Sequence, residues 1–162
     1  MVIPAPLLKA VTDAAEASYP DEACGLLVGT ERPAGVLVVS QVEPAPNIAS
    51  GGTGQRFEID PRVRMALARR LRGGAERLIG HYHSHPDHPA SPSRHDLEMA
   101  FEPDLIWLIT SVLAGRATET AAWRLDAGAG RFRPLILQVA GPEPIGNEGP
   151  ALMPDTSQPR RR

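Results

Sequence analysis

Between residues 6 and 18 the apolar side chains Leu7, Leu8, Val11, Ala14 and Ala15 recur at helical spacing, which predicts a helix with one buried face. Tyr19-Pro20 closes that pattern, because the residue before a proline is pushed out of the helical region. The period then changes. Residues 24–29 form a short apolar run that predicts a buried strand. Residues 36–42, rich in β-branched side chains, predict a second one across a turn at 31–35 marked by Pro33 and Gly35. Residues 44–54 read as a loop and 56–59 as a returning strand. Asp60-Pro61 signals a helix start: the aspartate offers a capping oxygen, and proline at the first helical position lacks an N–H that would have no partner there. That helix should run to Arg72 and stop at Gly73-Gly74. A strand over 77–85, a loop rich in Pro, Ser and His, a helix over about 93–101, and strands near 105–110, 121–125 and 132–139 follow. Past Ala140 the periodicity vanishes into Gly, Pro, Asn and Glu. One domain is therefore expected over 1–140, with a disordered tail over 141–162.

A length of 162 residues suits a single domain with a real core. The net charge of −2 gives no electrostatic reason to expect nucleic acid or an anionic membrane as a partner. Five arginines on the second predicted helix (Arg62, Arg64, Arg69, Arg70, Arg72) form either a phosphate-binding patch or a solvated face, and the chain's net acidity favours the solvated face. No apolar run is long enough to span a bilayer. The first ten residues lack the basic and apolar regions of a signal peptide, and Cys24, the only cysteine, allows no intrachain disulfide. A cytoplasmic protein is expected.

The chemistry concentrates in His83-Ser84-His85-Pro86 and, six residues on, Ser93-Arg94-His95-Asp96. Alternate side chains of a strand share a face, so His83 and His85 project the same way and can reach one metal ion. Pro86 ends the strand just after the second of them, and a helix opening near Ser93 can bring Asp96 to the third corner. Two neutral imidazoles and a carboxylate leave a tetrahedral zinc with one position for water. Each piece has a plainer reading. Ser93 and Asp96 have the spacing of a helix capping box, and the histidines could be a polar strand face. His81 lies on the same face by periodicity, but three ligands along one strand would span about 13 Å. His88 and His95 read as surface residues placed to touch substrate. A zinc-bound water needs a base, and the candidate is Glu22, just before the apolar strand at 24–29; residue physics alone leaves Asp21 equally eligible. Cys24, at the start of that strand, reads as a small buried residue rather than a thiolate.

Glu22, His83, His85, Pro86, Ser93 and Asp96 together resemble the JAMM motif of the MPN+ metalloproteases: a glutamate, His-x-His-Pro, about six residues, and Ser-x-x-Asp. The resemblance extends from the first helix to about Val139, through Asn47 and the segment from Phe57 to Pro61. It implies a cytidine-deaminase-like α/β sandwich, a mixed sheet flanked by helices, with one Zn2+ per chain on His83, His85 and Asp96. Glu22 would act as acid and base, and Ser93 would help to hold the oxyanion. Glu22-x-Cys24-Gly25-Leu26-Leu27 near the start is most similar to single-domain bacterial JAMM peptidases. Such relatives hydrolyse a peptide or isopeptide bond at the C-terminal Gly-Gly of ubiquitin-like sulfur-carrier proteins. There are two departures. His81 stands where relatives commonly carry tryptophan, and the run from Pro92 to Asp96 is similar to RadC-type proteins, whose activity is less settled. A metal-free MPN-type scaffold would lack ligands that are all present here. A zinc deaminase needs a Cys-x-x-Cys pair that one cysteine cannot supply.

Overall fold

The apolar run that begins at Cys24 is buried on both faces because its strand lies inside a sheet and not at an edge. The computed structural model describes residues 1–49 and 56–141, so the expected tail, apart from Gly141, lies outside the described residues. In chain order the elements are β1 (Val2–Pro4), α1 (Ala5–Ser18), β2 (Cys24–Arg32), a 3-10 turn (Pro33–Gly35), β3 (Val36–Ala45) and α2 (Pro61–Arg70). Then come β4 (Arg77–Pro86), α3 (Arg94–Met99), β5 (Ile106–Leu113), β6 (Arg116–Asp126), β7 (Arg131–Leu135) and β8 (Gln138–Ala140). The strands form one mixed sheet in the order β7-β6-β5-β4-β2-β3-β1-β8, parallel at β4/β5, β1/β3 and β1/β8 and antiparallel elsewhere. The expected α/β class with a mixed sheet is what forms.

Alternation along β2 sends Leu27 to one face and Leu26 and Val28 to the other. Leu27 joins Val11 and Ala15 of α1 with Ile79, Tyr82 and Leu108 in the main core. Leu26 and Val28 pack with Leu67 of α2, and Val63 and Leu78 lean on them. Helices thus cover both faces. At the centre the strands approach too closely for side chains: a Cβ on Gly25 would collide with the Tyr82 ring and the Glu43 carbonyl. In β4, Leu27 pairs with Gly80 but Val28 with Leu78, so Ile79 is an extra residue. This bulge lets Ile79 enter the main core while His81, His83 and His85 face the α2 side.

Four expectations need correction, and one strand is new. Residues 56–59 form no strand: a single bridge joins Asn47 to Ile59, with the Ile48 N–H donating to the Glu58 carbonyl at 2.9 Å. The strand expected over 132–139 is two strands at opposite ends of the sheet, β7 on β6 and β8 on β1. Only Ile136 and Leu137 separate them, and two residues reach about 10 Å at most, so the sheet must curl until its ends nearly meet. β1 was not foreseen, since three residues carry no period. The two later helices also stop short, α2 at Arg70 and α3 at Met99. Among the described residues no helix is long and apolar enough to cross a membrane.

Candidate metal centre

The antiparallel register of β2 on β4 places Cys24 opposite His83. One step further along the same ladder, Glu22 comes opposite His85 on the same face. The end of that ladder is fastened twice: the Ser84 N–H donates to the Ala23 carbonyl at 3.0 Å, and the Ala23 N–H donates to Ser84 Oγ at 2.8 Å. Glu22 is therefore buried at the site, while Asp21 is exposed, which separates the two acids that residue type alone left equal.

The His83 and His85 Nε2 atoms approach to 3.0 Å. His85 Nδ1 lies 2.9 Å from the Pro89 carbonyl; since a carbonyl only accepts, Nδ1 carries the hydrogen and leaves Nε2 with its lone pair. Asp96 completes the triangle, with Oδ1 at 3.3 Å from His83 Nε2 and Oδ2 at 3.4 Å from His85 Nε2. Taking one donor atom from each residue, the three lie within 4.8 Å of one another, close enough to converge on one ion with a donor distance of about 2.0–2.1 Å, as zinc has, after a small adjustment of the side chains. The capping reading also holds. Asp96 Oδ2 accepts from the Ser93 N–H (2.6 Å) and the Ser93 hydroxyl (2.7 Å), and Ser93 Oγ accepts from the Asp96 N–H (3.1 Å). The helix cap is what aims the carboxylate. Among the described residues this is the one cluster whose His, Cys, Asp or Glu atoms converge tightly enough to hold a metal.

Burial works against any charge here. It pushes the Glu22 carboxyl up to about 8, an effect that nearby His85 opposes and Asp96 reinforces. It pushes the Cys24 thiol up to about 12, so Cys24 is a neutral buried residue, as expected. Burial lowers His83, favouring the neutral imidazole that a metal requires. On Asp96 burial acts upward, but hydrogen bonds with His83, His85 and Ser93 prevail and hold the carboxyl well below its usual range. On His85 burial acts downward, but hydrogen bonds with Asp96 and Pro89 outweigh it and the pKa rises.

Phe57 stacks on the His83 ring at 4.3 Å, and Trp107 meets the His81 ring edge-on at 4.2 Å. His81 thus faces an aromatic wall, its ring 6.3 Å from His83, and takes no part in the ligand triangle. Before the centre runs a groove of about 580 Å³ lined by Glu22, Arg56, His85, His88, Ser93 and His95, among others. His88 and His95 both line this groove. Asn47, Arg56, Phe57 and Trp107 were not foreseen as site residues; Phe57 and Trp107 meet the histidines, and Asn47 ties the main chain of Arg56 to that of Glu22, only through the tertiary fold. Of the α2 arginines, Arg62, Arg64 and Arg70 pair with Asp60, Glu102 and Glu43.

The family described as prokaryotic homologs of the JAB domain matches residues 4–126. The chain belongs to this family. The CysO-cysteine peptidase of Mycobacterium tuberculosis is 30% identical to this JAB protein over 138 residues, 83% of this chain and 89% of that one. A desampylase of Haloferax volcanii is 30% identical over 105 residues, 65% of this chain and 73% of its own. The solution structure of a Desulfitobacterium hafniense protein resembles the JAB fold here with a TM-score of 0.75 at 25% identity, covering 87% of this chain and 93% of that chain. The JAB chain is a JAMM-type hydrolase acting on peptide bonds.

Proposed function

We propose that this JAB protein is a one-zinc peptidase that cuts a peptide or isopeptide bond at the C-terminal Gly-Gly of a ubiquitin-like sulfur carrier. The observation that carries the reading is the convergence of His83, His85 and Asp96, with Glu22 buried on the same face, one ladder step beyond Cys24. The similarity to a protein named CysO-cysteine peptidase supports the substrate class. Two imidazoles and a carboxylate suit zinc and leave a coordination position open.

Zinc bound there would supply Lewis acidity toward the scissile carbonyl and toward water. The chain's own groups do the rest. Glu22 takes a proton from the attacking water and returns it to the departing nitrogen. Ser93, fixed by the cap, helps to hold the developing oxyanion. The groove admits an extended glycine tail because glycine lets backbone approach closely. The test is incubation of zinc-loaded protein with the host's ubiquitin-like sulfur carriers, extended beyond Gly-Gly, with mass spectrometry of the products. Cleavage after the second glycine is expected from the parent. Glu22→Gln should lose about 10²- to 10⁴-fold in turnover while keeping stoichiometric zinc. A parent that cuts none of the carriers, or a variant that matches it, would overturn the reading.

A further inference from the structure

The carbonyl that fixes the His85 tautomer is itself held from both sides. Pro89 belongs to the run from Asp87 to Ala90, just beyond β4, and its carbonyl lies 2.9 Å from the His85 Nδ1 that donates to it. The carbonyls before and after it are tied to the sheet. Ser111 Oγ, on β5, donates to the His88 carbonyl at 2.7 Å, and Trp123 Nε1, on β6, donates to the Ala90 carbonyl at 2.9 Å. Three consecutive carbonyls thus meet three side-chain donors, and the middle donor is one of the metal-site histidines.

The backbone of this run has little freedom left. Asp87 opens it at a φ of 55°, a left-handed conformation uncommon outside glycine. Its N–H donates to the Val112 carbonyl at 2.7 Å, and its carboxylate accepts from the Ala114 N–H at 3.0 Å and the Tyr19 hydroxyl at 2.9 Å. Two residues on, the Pro89 ring locks its own φ at about −65°. The direction of the Pro89 carbonyl then depends on its ψ, and the bond from Trp123 restrains the peptide that follows. Ser111 is buried and stands opposite His85 in the parallel β4–β5 register, so this anchor lies level with the ligand it serves.

The other two corners of the site are treated differently. Asp96 is aimed by its helix cap. His83 Nδ1 is buried and meets no hydrogen-bond partner among the described residues. A neutral imidazole carries one N–H, and an acceptor at Nδ1 keeps the lone pair on Nε2. His85 is therefore the imidazole whose tautomer is set by the fold before any metal arrives.

We propose that Ser111 and Trp123 are positioning residues for the metal centre. By anchoring the His88 and Ala90 carbonyls they aim the Pro89 carbonyl at His85, and this presets the tautomer and the ring direction that a zinc ion requires. The proposal rests on the metal reading above and is independent of which substrate is cut.

The test uses the full chain. In the metal-free parent, at a pH high enough for the ring to be neutral, nitrogen NMR is expected to find the His85 hydrogen on Nδ1. Zinc affinity, read by chelator competition, should fall about tenfold to a hundredfold in Ser111→Ala and in Trp123→Phe, the range for losing a partner behind a ligating histidine. Phenylalanine keeps a ring there and lacks the N–H. Cobalt(II) bound in place of zinc should show a visible absorption band altered in both variants. Thr120→Val is the control: it removes a hydroxyl that lies 3.0 Å from that of Thr110 across the same β5–β6 ladder, and it should keep the parent's affinity and spectrum. Should one positioning variant fail to fold, the other decides. A His85 hydrogen on Nε2 in the parent overturns the proposal with no variant needed. So do variants that match the parent in affinity and cobalt spectrum, and so does a Thr120→Val protein as weak as they are, because the loss would then come from a general loosening of the sheet. A parent that takes up no stoichiometric zinc overturns the metal reading and this proposal with it.

Discussion

His85 holds a hydrogen on Nδ1 for the Pro89 carbonyl and turns Nε2 toward Asp96. Without metal, that carboxylate also favours a second proton on the ring, and the pKa of His85 rises although burial opposes it. A proton and a metal compete for the same lone pair. A raised pKa means that the proton begins to win at a higher pH than it would at an ordinary histidine, near 6.5. Zinc affinity should therefore fall as pH drops from about 7.5 to 5.5, by roughly tenfold per unit once the ring is mostly protonated. Chelator competition at fixed ionic strength measures this, and a flat affinity over that range would contradict it. At this scale the convergence of His83, His85 and Asp96 was legible in the chain because its geometry is local: a strand places residues two apart on one face, and a helix cap aims the fourth residue of its turn. Glu22 was legible only as one of two acids, since choosing it over Asp21 requires knowing which one the β2–β4 ladder buries. Arg56, Phe57 and Asn47 gave no such signal. Their roles depend on a loop folded against a strand more than twenty residues away.

At the level of elements, the site is held by close backbone approach. Gly25 lies between Cys24 and Leu26 on β2 and faces the Tyr82 ring, one residue from His83. Gly25→Ala would set a methyl group into that ring and the Glu43 carbonyl, so β2 and β4 would have to separate. Overpacking of this kind costs about 1–3 kcal/mol, and the shift would fall on the register that brings Glu22 and His85 together. Urea denaturation should show the lost stability, and zinc titration a weaker site. Unchanged values in both would mean that the strands yield more easily than the contacts imply. The helices were readable from their period and caps; Asp60 does accept from the Arg62 N–H at the start of α2. The strand ends were less readable. The bulge at Ile79 inverts the alternation midway along β4, and no periodicity announces a single extra residue. Nor does composition show that 132–139 divides between two edges, because apolar residues run through both halves.

For the molecule as a whole, the centre trades stability for chemistry. Glu22 in the folded, metal-free chain titrates near 8 against an ordinary value of 4.5. Its pKa is raised on folding, so the folded state binds the extra proton, and the stability this confers is full below about 4.5 and lost as pH rises toward about 8. Glutamine carries no such dependence. Glu22→Gln should therefore melt higher than the parent when both are stripped of metal, with an advantage that grows from pH 5 to pH 8 and levels off above it. Differential scanning calorimetry of the chelated proteins checks this, and an advantage that shrinks with rising pH would refute it. The α/β class was legible from the succession of periods, but the order of strands was not, because pairing partners are chosen by the curl of the sheet. That curl has a further consequence. β8 closes on β1, with Val2 beside Gln138 and the N-terminal ammonium donating to the Ile136 carbonyl at 2.8 Å. The edge of β1 that β8 covers therefore stays open until residues 138–140 have been made and have paired. β2, β3 and β4 can pair earlier, yet β1 stays open to stray strands until β8 is in place, and in that interval a nascent chain most needs shielding.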